Sequence, residues 1–95
     1  MKAKEKMELA LSLLTERTWS LLSDYSVSIN HIKFDWDDLH VDYYTLRFFP
    51  NNGKYFTEDA ALTILSTIQA FKGRCIIKQM HGSPVIQATL EDDRA

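Results

Sequence analysis

From Val27 to Phe49 the chain runs for 23 residues without glycine or proline, dense in β-branched and aromatic side chains, with Asp37-Asp38 near its middle. Such a segment reads as a β-hairpin. If the two aspartates form a two-residue loop, the numbers of facing residues sum to 75. Trp36 then faces Leu39, Phe34 faces Val41 and Ile32 faces Tyr43, all on one side of the ribbon. Asp35 faces His40 and Lys33 faces Asp42 on the other side, which makes favourable cross-strand pairs. Further from the loop Ile29 meets Leu46 and Val27 meets Phe48, on the side away from Trp36. Both strands therefore change apolar side at the same level, near Asn30/Thr45 and His31/Tyr44. One register accounts for both changes, which few alternatives do. Asp-Asp is not the favoured Asn-Gly or Asp-Gly turn, so a longer loop stays open as an alternative.

Helical periodicity brackets this hairpin. Residues Ala3 to Ser23 hold good helix formers and no glycine or proline. Met7, Ala10, Leu11, Leu14, Leu21 and Leu22 make a core-facing stripe, while Leu9, Leu13 and Trp19 fall off it. After the turn cluster Pro50-Asn51-Asn52-Gly53, Thr57 is the expected N-cap of a second helix, with Glu58 and Asp59 opposing its positive end. Ala60, Ala61, Ile64, Leu65, Ile68 and Phe71 form its stripe, and Thr63, Ser66, Thr67 and Ala70 an uncharged back. Gly73 is the expected C′ residue. A second hairpin follows, Cys75–Met80 with Val85–Leu90, turning at Gly82-Ser83 with facing numbers summing to 165. Cys75, Ile77, Ile86, Ala88 and Leu90 then share one side. Glu91 to Ala95 is expected to be a solvated end, like the Lys2/Lys4/Lys6 run.

These elements specify a single α+β domain over residues 1–95, two-layered, in the order α-ββ-α-ββ, with two helices packed on a mostly antiparallel four-stranded sheet. Area scaling has a chain of this mass burying about 65% of its unfolded surface, enough for one modest core. The element order loosely resembles several small secretion-chaperone and phage accessory folds, a likeness of fold alone.

Composition narrows the function classes. The chain has 11 basic and 13 acidic residues, a net charge of −2, with no clustered basic face of the kind nucleic acid requires. The longest uncharged stretch, Ala60 to Phe71, is 12 residues, too short for a membrane span. A lone cysteine, Cys75, and the lack of a long apolar leader segment point to the cytoplasm. No phosphate loop, zinc-ligand spacing or nucleophile elbow is present, and no cofactor is expected.

The densest polar group is His31, Asp35, Asp37, Asp38, His40 and Asp42. Two imidazoles among four carboxylates are a possible metal or catalytic set, with Asp35 and His40 as the polar pair of a small-molecule-binding or metal-dependent enzyme. The simpler reading is a charge-paired hairpin end. Three other features share one explanation: the hairpin is apolar on opposite sides in its two halves, helix 1 has an off-stripe leucine pair, and helix 2 has an uncharged back. A two-layer domain covers only one sheet face, so the rest calls for a partner. The favoured reading is a small non-enzymatic binding protein, a homodimer acting on a further protein partner. Its exposed recognition feature would be Trp36 with Asp35, Asp37, Asp38 and His40. Its dimer interface would draw on Leu9, Leu13, Ile32, Phe34 and Ser66.

Overall fold

A computed structural model describes residues 1–17, with side chains to residue 14, and residues 25–93. Its elements are α1 (Ala3–Arg17), β1 (Tyr25–Trp36), β2 (Leu39–Pro50), α2 (Glu58–Ala70), β3 (Arg74–Met80) and β4 (Ser83–Glu91). The α-ββ-α-ββ order expected from the sequence is the order found. The four strands make one antiparallel sheet, β1-β2-β4-β3. Trp19, Leu21 and Leu22, assigned above to the first helix, lie outside the described residues.

Both helices pack on one face of the sheet, α1 over β2 and β4, and α2 near β3. Even-numbered residues of the central strands point inward: Leu46 and Phe48 from β2, and Ile86, Ala88 and Leu90 from β4. They meet Ala10 and Leu14 of α1 and Ala60, Ile64 and Ile68 of α2. Tyr25 closes the β1 side, its ring edge-on to Phe48 at 5.7 Å. Edge strand β1 is covered less well, so Val27 and Ile29, on the same inward face, stay exposed.

The first hairpin has the expected register, from Tyr25↔Pro50 to Trp36↔Leu39. Its loop is Asp37-Asp38, with Asp37 at φ 50°, a left-handed conformation that aspartate tolerates better than most residues. The second hairpin differs from expectation. Met80 faces Ser83 and Cys75 faces Ala88, so facing numbers sum to 163 and the turn is His81-Gly82. Both turn residues have positive φ, 53° and 80°, the pattern of a type I′ turn. A slip of two residues keeps every side chain on its side, so Cys75, Ile77, Ile86, Ala88 and Leu90 still share the inward face.

Helix α2 begins as read: Thr57 Oγ1 accepts from the Ala60 N–H at 3.2 Å. Its end is built differently. Lys72, not Gly73, takes the left-handed position, at φ 58°. The N–H groups of Lys72 and Gly73 donate to the Gln69 and Ile68 carbonyls, a Schellman closure with Gly73 as C″. Glycine is needed at 73 for space. A Cβ there would lie 2.6 Å from Ile68 Cγ2 and 2.7 Å from Leu90 Cδ2. The stripe of α2 is the expected one, Ala60, Ile64 and Ile68 in the core with Ala61, Leu65 and Phe71 packed against it, but Thr67, expected on the uncharged back, is fully buried as well. Thr67 Oγ1 has no hydrogen-bond partner there.

The two chain ends, expected to be solvated, are joined. Lys6 is 4% exposed with Nζ 2.6 Å from Asp93 Oδ1, and the Met1 amino group donates to Asp93 Oδ2 at 3.0 Å. These two cations, Lys6 foremost, hold the Asp93 carboxyl down to about 2. Asp92 Oδ1 accepts the Ala3 N–H at 2.7 Å, which lowers its pKa and satisfies one of the unpaired donors at the start of α1.

Candidate protein-binding surface

Strand β2 pairs with β4 only between Tyr43 and Phe48. The β1–β2 ladder runs on past that point for four more rungs, from Lys33↔Asp42 to Trp36↔Leu39. At about 3.3 Å per residue the arm projects roughly 13 Å beyond the sheet. Among the described residues no third strand lies beside this two-stranded ribbon and no helix layer covers its outer face.

Strand alternation gives the arm two unlike faces. On the outer face, away from the helices, lie Ile32, Phe34, Trp36, Leu39, Val41 and Tyr43. Trp36 is 72% exposed, Leu39 56% and Phe34 46%; the other three are half-buried. Toward the body of the sheet the same outer face turns polar, with Ser28, Asn30, Thr45 and Arg47, whose Nε donates to Gln87 Oε1 at 3.1 Å. A patch of this kind, apolar with a polar rim, is what monomers seldom leave in water.

The inner face of the arm holds the polar cluster. His40 Nδ1 is 2.6 Å from Asp35 Oδ1, the expected cross-strand pair. Asp42 faces Lys33 in the register, but its carboxylate turns to the diagonal neighbour His31, at 2.7 Å from Nε2. His31 lies flat on Tyr44, ring centres 4.3 Å apart, and that stack holds the imidazole in reach of Asp42. His31 thus joins the cluster through Asp42. All four side chains of these pairs are exposed, so each pair adds little to stability.

The enzyme reading asks for enclosure around Asp35 and His40. These two sit near the exposed tip. A groove of about 640 Å³ lies between the arm and the start of α1, lined by His31, Lys33, Asp42 and Tyr44 with Lys2, Lys4, Glu5 and Asp92. Its three lysines are matched by three carboxylates, one of which, Asp92, is already engaged by Ala3 and Lys2. Among the described residues no three His, Cys, Asp or Glu side chains converge as metal ligands. Cys75 is half-buried and burial pushes its thiol pKa up, away from the nucleophilic thiolate. No helix among the described residues is long and apolar enough to cross a membrane.

The structure sorts the residues singled out above into separate places. Trp36 is on the outer face of the arm, Asp35 and His40 are on the inner face, and Asp37 and Asp38 form the tip. Ile32 and Phe34 lie beside Trp36. Leu9, 45% exposed, and Leu13, half-buried, belong to α1, and Ser66 is exposed on α2, its Oγ donating to the Thr63 carbonyl at 3.2 Å. Helix residues and arm residues therefore flank opposite sides of the sheet and do not make one surface. Leu39, Val41 and Tyr43 were missing from the expected set. They are the register partners of Trp36, Phe34 and Ile32, so the signal that finds them was already in the hairpin pairing. No protein-family model matches the chain, and comparison with curated proteins and with solved structures finds no match either.

Proposed function

We propose that this chain is a small non-enzymatic protein-binding module that works as a homodimer through protein–protein contacts. One observation carries the reading: a strand pair that runs past its own sheet with an apolar outer face, Trp36 at its end and 72% exposed. An isolated hairpin ribbon is marginal in water, and the inner-face pairs of this one are exposed. Covering the outer face removes that weakness. Tryptophan, phenylalanine and tyrosine are also the side chains that dominate binding energy at protein interfaces. A second copy is the simplest partner, since one patch then serves both subunits.

Sedimentation velocity between about 1 and 200 μM tests this. The expected result is a mass near twice 11.0 kDa at the upper end. A chain that remains folded and monomeric throughout that range rules out the homodimer.

A further inference from the structure

We infer that the dimer forms arm to arm: the outer faces of two β1–β2 hairpins lie on one another, antiparallel, about a two-fold axis level with Phe34 and Val41. The inference rests on the homodimer reading above and specifies which surface makes it.

Area is the first argument. Reckoning an aromatic side chain at about 150–250 Å² and leucine at slightly less, the exposed parts of Trp36, Phe34 and Leu39 come to roughly 350 Å². Ile32, Val41, Tyr43 and the polar rim bring one arm to about 500 Å², so two arms bury about 1,000 Å². That is the lower limit for a specific interface. An interface of that size belongs to weak, non-obligate association, which agrees with a core formed within each copy.

Charge sets the orientation. The apolar patch carries no charge, so it can face itself without repulsion. Its two ends are unlike: Asp37 and Asp38 at the tip, and Arg47 at the base on the same outer face. Two arms laid parallel would bring four tip carboxylates together. Laid antiparallel about Phe34, each tip falls level with the partner's His31 and Tyr44, three residues or about 10 Å along the strand from Arg47 at 3.3 Å per residue. The Arg47 guanidinium uses Nε on Gln87 and has further N–H groups to direct at a carboxylate. The four tip carboxylates are thereby kept apart, and each pair is brought toward the partner's Arg47, with Glu91, neutralised by Arg74, at the neighbouring level.

The test is a charge exchange read by sedimentation. Phe34→Glu and Trp36→Lys, both at exposed positions and so folded by circular dichroism, should give monomers. Arg47→Glu and Asp38→Arg should each weaken the dimer about tenfold, and the double variant Arg47→Glu/Asp38→Arg should recover to within about threefold of the parent. Leu9→Glu, on the helix side, should leave the dimer unchanged. If the parent dimerises but ignores Phe34→Glu, or if the double variant is weaker than either single one, the arm-to-arm arrangement is overturned while self-association stands. If the parent is monomeric, both fall.

Discussion

The two hairpins of this molecule are built from similar material and used in opposite ways. In β3–β4 every inward side chain of the inner strand, Ile86, Ala88 and Leu90, is buried in the core under the helices. In β1–β2 only the base is used so, by Leu46 and Phe48, and the remaining rungs extend into solvent with their apolar side chains on the opposite face. β3–β4 also passes the end of its pairing with β2, by three rungs from Lys78↔Val85 to Met80↔Ser83, but Val85 stays buried there and the hairpin acts as a packing element. One that outgrows its sheet and changes its apolar side as it leaves has surface that the fold itself does not use. That difference can be measured residue by residue.

The largest effect should separate the two hairpins at once. Ile86→Ala removes a buried side chain from β4 and should lower stability by about 2–5 kcal/mol. Trp36→Ala, a larger truncation at a 72% exposed site, should change monomer stability by less than about 0.5 kcal/mol in denaturant titrations at low concentration. A loss above 2 kcal/mol for Trp36→Ala would mean that the arm packs on its own chain, and the comparison would collapse.

Next in size is Gly73→Ala, at the junction of α2 and β3. The added methyl has Ile68 and Leu90 below 3 Å, so overpacking of about 1–3 kcal/mol is expected. Gly82→Ala, in the turn of the same hairpin, meets nothing within 4 Å but sits at φ 80°, and should cost about 1–2 kcal/mol through backbone strain alone. Repacking separates the mechanisms: a second change of Leu90 to Val should partly rescue Gly73→Ala and leave Gly82→Ala untouched.

The same contrast explains what could be read from the sequence. The first hairpin's register was legible because its apolar residues change side partway along, a landmark that only one alignment of the two strands satisfies. The second hairpin keeps its shared apolar residues, Cys75, Ile77, Ile86, Ala88 and Leu90, on one side at period two, with no change of side along the strands. That pattern fixes which side each residue takes but cannot distinguish registers two residues apart, and the choice between Gly82-Ser83 and His81-Gly82 then rested on turn preference. Histidine at φ 53° was the less obvious option. Helix α2 shows a similar limit: its composition located the helix, its Thr57 cap and its core stripe, while the burial of Thr67 depends on what packs against the back of the helix, which periodicity does not carry. The joined chain ends were illegible for another reason. Lys6 and Asp93 are 87 residues apart, and neither carries any local mark of the other.

Thr67 offers a smaller effect, on the packed side of the comparison. Its hydroxyl is buried without a partner, so Thr67→Val keeps the shape and removes an unsatisfied polar group. It should raise stability by about 1 kcal/mol, seen as a higher denaturant midpoint with an unchanged slope. A loss instead would show that the hydroxyl is hydrogen-bonded in solution.

The smallest expected effect lies at the tip of the arm, where the two turns can be compared directly. Asp37 and His81 each hold a left-handed backbone as the first residue of a two-residue loop, at φ 50° and 53°. Glycine adopts that conformation without a Cβ penalty, although it also makes the unfolded chain more flexible, and the two terms partly offset. Asp37→Gly and His81→Gly should therefore each shift stability by no more than about 1 kcal/mol. Their local consequences should differ. At 81 the turn closes three rungs beyond the pairing with β2, and the rest of β3–β4 is held on the sheet body, so amide exchange from Arg74 to Ile77 and from Ile86 to Thr89 should change little. At 37 the turn closes a ribbon with no third strand, and its rungs from Lys33 to Asp42 depend on that turn and on the covering of their outer face. Amide exchange in those rungs, measured well below the dimer's dissociation constant, should slow several-fold in Asp37→Gly if relief of backbone strain outweighs the added flexibility, and quicken if it does not. Raising the protein concentration should then slow exchange in both parent and variant, and shrink the gap between them, as a second arm takes over the work of holding the ribbon together. If exchange in the arm is already as slow at low concentration as in β4, the ribbon is stable without a partner, and the contrast between the hairpins lies in exposure alone.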